Sequence, residues 1–73
     1  MQKGDRIFVT IEGRRLEGVV ELASNNDCSL AVLFEEGVPE PFGIIDGWQV
    51  LLLLKTGDAW HDIYAGRPVE VET

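Results

Sequence analysis

Apolar and polar positions alternate with a period of two through the first third of the chain. Ile7, Val9 and Ile11 interleave with Phe8, Thr10 and Glu12, as in a strand that shows one face to a core. Glu12-Gly13-Arg14-Arg15 supplies a glycine and charges for a tight turn. Leu16 to Ala23 then resumes the alternation with Glu17 and Glu21 on one face, so the two segments read as a hairpin. Ser24-Asn25-Asn26-Asp27 is a run of side chains that bond to their own backbone, and it marks a second reversal before a third strand over Ser29 to Phe34. Glu35 to Pro41 combines two prolines, a glycine and three carboxylates, which favours a long solvated connection.

Gly47 to Thr56 admits two readings. Leu51 to Leu54 has good helix propensity, and Asp46 with Gln49 has the spacing of a capping box, which suits a short helical turn. The apolar run is brief, however, and Thr56-Gly57-Asp58 leads into the aromatic and β-branched segment Ala59 to Tyr64, which suits a hairpin. A strand is the favoured reading. Gly66-Arg67-Pro68 makes a further corner, and Val69 to Glu72 alternates as a closing edge strand. Five or six short antiparallel strands joined by glycine- and asparagine-rich turns indicate an all-β domain, a small barrel or paired-sheet sandwich. With 73 residues there is material for one core and one domain, residues 1–73.

The order of these features resembles the SH3-like barrel superfold, which includes Tudor and KOW-type modules. Gly4-Asp5-Arg6-Ile7 opens the first strand, and Gly18-Val19-Val20 lies in the second. A closer similarity is to short bacterial proteins of unassigned function, some carried on integron mobile gene cassettes. It rests on Leu22-Ala23-Ser24, Ser29-Leu30, Trp60-His61-Asp62-Ile63 and Gly66-Arg67-Pro68-Val69. What the resemblance implies is an SH3-like barrel of five or six strands. Its motifs are turn and core residues, and it carries no function across.

Charge narrows the partners. Thirteen acidic and six basic side chains give a net charge of −7, a field that repels a phosphate backbone and disfavours nucleic acid. Lys3, Arg6, Arg14 and Arg15 cluster in the first fifteen residues, and only Lys55 and Arg67 are basic thereafter. The single cysteine, Cys28, makes an intramolecular disulfide impossible, and a cytoplasmic location is the default expectation. The N-terminal residues contain no apolar signal region, and the longest apolar run, Val50 to Leu54, is too short for a membrane-spanning helix.

Candidate chemistry is sparse. His61 and Asp62 are strand neighbours that point to opposite faces, and Cys28 beside Asp27 has a carboxylate disfavouring its thiolate. One histidine and one cysteine do not assemble a metal site, and no nucleotide-binding or nucleophile-elbow motif is present, so neither metal nor cofactor is expected. Trp60, Asp62 and Tyr64 fall on one strand face, with two aromatic rings either side of a carboxylate. They would offer two rings and a carboxylate to a cation, as a Tudor-like cage does; the plainer alternative is two core aromatics with Asp62 at the rim, bonded to a turn. Trp48, Val50, Leu52 and Leu54 share one strand face while Leu51 and Leu53 occupy the other, so both faces call for burial. With Phe8, and with Leu33 and Phe42 alongside, the first set forms a candidate oligomer interface, unless the long loop covers it. The resulting expectation is a non-enzymatic interaction module that self-associates and binds a protein or basic peptide on its acidic surface. The alternatives are a small enzyme or accessory subunit with a pocket around His61 and Asp62, and an acidic mimic of nucleic acid.

Overall fold

A computed structural model describes residues 1–73. Seven strands follow in order: β1 (Arg6–Ile11), β2 (Arg14–Ala23), β3 (Ser29–Phe34), β4 (Gly43–Ile45), β5 (Trp48–Thr56), β6 (Ala59–Asp62) and β7 (Pro68–Glu72). All pairings are antiparallel. Six strands close on themselves as a barrel in the cyclic order β1-β2-β3-β5-β6-β7, with the β3–β5 pairing as the seam, while β4 lies outside the closure against β5 alone. There is no helix.

The inward positions follow the alternation of the sequence. Ile7, Val9 and Ile11 from β1, Val20 from β2, Leu30, Val32 and Phe34 from β3, Leu51 and Leu53 from β5 and Val69 from β7 form one buried cluster. Val38 joins them from the long loop, its backbone N–H donating to Gln49 Oε1 at 2.9 Å. Gln49 is therefore engaged by the loop, and the Asp46–Gln49 capping spacing does not open a helix. Asp46 and Gly47 instead take φ of 51° and 84° between the paired residues Ile45 and Trp48, a two-residue turn whose hand matches the strand twist. Glu12 and Gly13 repeat this arrangement between β1 and β2.

Two features depart from the expected strand pattern. β4 forms between the Glu35 to Pro41 connection and the Gly47 to Thr56 strand, where the alternation assigns no element, because the tight turn at Asp46 and Gly47 folds Gly43–Ile45 back along β5. In β2 the register against β3 slips between Val20 and Leu22, so that Glu21 is an extra residue. A strict alternation would point Val20 and Leu22 the same way. The bulge sends Leu22 outward opposite Ala31 and leaves Val20 inside opposite Val32.

Gly18 in β2 admits the Phe34 ring to the core. A Cβ there would lie 2.7 Å from both Phe34 Cε1 and Val32 Cγ1 and 3.0 Å from the Leu33 carbonyl oxygen. Gly18→Ala is expected to cost about 1–3 kcal/mol by overpacking, measured by chemical denaturation. An unchanged unfolding midpoint would contradict this account of the glycine.

Candidate functional site

The β6–β7 corner is built around a buried carboxylate. Asp62 ends β6 at 0% exposure. Its Oδ1 accepts from the backbone N–H groups of Tyr64 at 2.9 Å and Ala65 at 3.2 Å, and its Oδ2 from Arg67 Nε at 2.7 Å and the Arg67 N–H at 3.4 Å. Arg67, 14% exposed, reaches further: Nη1 donates to Glu12 Oε2 and to the Pro39 carbonyl, both at 2.6 Å, and Nη2 to the Glu40 carbonyl at 3.0 Å. One guanidinium thus ties the β6–β7 corner to the β1–β2 turn and to the long loop. Burial opposes ionisation of Asp62, but the Arg67 bond and the two backbone donors outweigh it and hold the carboxyl below its ordinary 3.8. Burial likewise works against the Arg67 charge and is outweighed by Asp62 and Glu12, so its pKa is raised.

This geometry corrects the expected aromatic cage. Trp60 and Asp62 share the inner side of β6, where Trp60 packs against the core cluster, but the strand stops at Asp62 and Tyr64 sits in the turn that Asp62 organises. The Tyr64 ring instead meets Phe42 edge-on, with centroids 6.1 Å apart. Lys55 Nζ lies 5.9 Å from the Trp60 ring centroid, so the cation nearest that ring is the chain's own. His61 faces the other side of β6, opposite Leu54 and Pro68, and both Asp62 oxygens are taken by the corner. No group of three or more His, Cys, Asp or Glu side chains is placed to hold a metal ion.

The apolar residues outside the core fall into separate regions. Trp48, Val50, Leu52 and Leu54 do face away from the Leu51 and Leu53 side of β5, as their alternation implied, but they do not form one exposed stripe. Val50 is buried between Leu33 of β3 and Gly43 of β4, and Trp48 and Leu52 are half-buried. Phe8 lies elsewhere: its neighbours across β2 and β7 are Glu17 and Glu72, and the Arg15 guanidinium covers its ring at 3.8 Å from the centroid. Leu54 is exposed, and it belongs to an open groove of about 550 Å³ with Leu22, Ala31, Leu52 and Ile63. Ser24, Asn25 and Ser29 supply the polar lining, and no charged residue takes part. The second region surrounds β4, where Phe42, Ile44, Ile45 and Tyr64 are all exposed.

Leu22 and Ile63 entered the groove unannounced by the sequence. The bulge at Glu21 turns Leu22 outward, and the Ile63 N–H donates to the Leu52 carbonyl at 3.0 Å, drawing that residue alongside β5 just past the end of β6. The charges are distributed differently. Lys3, Arg6, Arg15 and Arg67 are paired with Glu21, Glu17, Glu72 and the Asp62–Glu12 pair, whereas Glu35, Glu36, Glu40 and Asp46 join no ion pair. Asp5, Asp58 and Glu70 are likewise outside every ion pair, so four of the seven unpaired carboxylates lie in the long loop and the β4–β5 turn.

No protein-family model, curated protein or solved structure matches this chain significantly.

Two outcomes test the Asp62–Arg67 assignment. Asp62→Ala strands a largely buried guanidinium and is expected to cost about 3–5 kcal/mol in denaturant unfolding at neutral pH. Because the folded carboxyl titrates below 3.8, its contribution to stability is complete above that value and falls as pH drops through the folded pKa. Asp62→Asn should accordingly lose less stability than wild type between neutral pH and pH values below 3.8. Equal losses in the two proteins would contradict the assignment.

Proposed function

We propose that the protein is a non-enzymatic interaction module of the SH3-like kind that self-associates through the groove of Leu22, Ala31, Leu52, Leu54 and Ile63. The observation that carries this reading is the uncharged lining of that groove in a chain of net charge −7. Two acidic copies repel one another over most of their surfaces, and that repulsion is least where no carboxylate is present. Exposed Leu22, Leu54 and Ile63 supply the apolar area that association would remove from water. A two-fold axis through the groove would pair each residue of the patch with the patch of the other copy, so one surface serves both partners. The resemblance to Tudor and KOW modules supports an interaction role by fold analogy alone.

Sedimentation over micromolar concentrations is expected to give twice the chain mass. Leu22→Asp combined with Leu54→Glu places carboxylates at two exposed positions of the groove, and should weaken association at least about tenfold while leaving the fold intact. A wild-type monomer, or a folded double variant with unchanged dimer affinity, would overturn the assignment.

A further inference from the structure

β4 is an unsatisfied sheet edge. Its three residues pair with Trp48–Val50 of β5 on one side, and no strand lies on the other. Edge strands of this kind are templates for a further strand, and proteins commonly protect them with charge or cover. Here the strand itself is Gly43-Ile44-Ile45, with Ile44 67% and Ile45 56% exposed. Ile45 stands with Trp48 on one face of the hairpin and Ile44 with Gln49 on the other, so both faces beside the open edge are apolar. Phe42 and Tyr64, packed edge to face, extend the apolar surface at the start of the strand.

The edge is held ready rather than loose. The Asp46-Gly47 turn closes one end, and the Phe42 N–H donates to the Val50 carbonyl at 2.8 Å at the other. Charge then selects the occupant. Glu40 lies just before the strand and Asp46 directly after it, both exposed and outside every ion pair, and Glu35 and Glu36 flank the Trp48 side in the same condition. The nearby Arg67 is already bound to Asp62, Glu12 and the loop carbonyls, and Arg14 to the Gly37 carbonyl. A second copy docking antiparallel on this edge, Gly43 opposite Ile45, would gather Asp46 of one chain and Glu40 of the other at each end of the pair, an unfavourable accumulation of like charge. A segment bearing cations meets no such opposition.

We propose that the free edge of β4 adds an extended segment rich in lysine and arginine. Its backbone pairs with Gly43–Ile45, its apolar side chains rest on the Ile44 and Phe42 face, and its cations reach Glu40 and Asp46 at the two ends of the strand. This deepens the interaction-module reading and rests on it for the kind of activity, but it uses the Trp48–Val50 end of β5, whereas the groove lies along Leu52–Leu54.

The test uses a labelled short peptide of alternating arginine and valine, with binding followed by fluorescence anisotropy and by amide chemical shifts. Expected is binding that shifts Phe42 to Gly47, and an affinity loss of at least about tenfold when backbone amides on one edge of the peptide are N-methylated. Glu40→Asn with Asp46→Asn keeps side chains that accept the positive φ of 48° and 51° at these positions, and should weaken binding and flatten its salt dependence. No binding, equal binding of the N-methylated peptide, or shifts confined to the Leu22–Ile63 groove would overturn the proposal. The two readings fail separately. A dimer that ignores the peptide sinks only this proposal, and a monomer that binds it through β4 sinks only the groove assignment.

Discussion

Closure of the barrel depends on β5. Six residues of β3, Ser29 to Phe34, pair with Gln49 to Leu54 along one edge of that strand, and this seam joins the β1-β2-β3 hairpins to the β6-β7 end of the chain. Without it a six-stranded sheet would present two long edges and half of its core to water. The same strand divides its other edge, giving its C-terminal half to β6 and its N-terminal half to β4. Leu51 and Leu53 fill the barrel from this strand, so its outer residues are left to shape the surface.

The second fastening is electrostatic. Arg67 joins three connections that lie far apart in the sequence: the corner after β6, the turn between β1 and β2, and the loop before β4. A buried carboxylate and guanidinium lose much hydration, and their pairing offsets that loss because Asp62 Oδ1 also accepts from two backbone N–H groups and no buried side-chain nitrogen or oxygen lacks a partner. The carboxylate that looked most available for chemistry is therefore committed to holding the loop that carries Val38 into the core and leads into β4.

Much of this was legible from alternation alone. The inward residues of β1 and β3 and the opposed sets on β5 follow directly from period-two patterning, and the Ser24 to Asp27 reversal is bonded as its side chains suggested, with Ser24 Oγ accepting from the Cys28 and Ser29 N–H groups. What stayed hidden depends on pairing across the sheet. A bulge is defined only against its partner strand, so the outward turn of Leu22 leaves no local mark in the sequence. The termination of β6 depends on Arg67 reaching back to Asp62, which placed Tyr64 off the strand and beside Phe42. The Arg15 guanidinium lies over the Phe8 ring from the neighbouring strand, a contact set by cross-strand register and not by the local pattern around Phe8.

Two surfaces border β5: an uncharged groove, proposed to take a second copy, and the acid-flanked edge of β4, proposed to add a basic strand. The most direct test of that division is to record amide chemical shifts of the wild-type protein on dilution through the micromolar range, with no ligand added. The account requires concentration-dependent shifts at Leu22, Ala31, Leu52, Leu54 and Ile63, with Gly43 to Ile45 unmoved. Shifts centred on β4, or none anywhere, would contradict it.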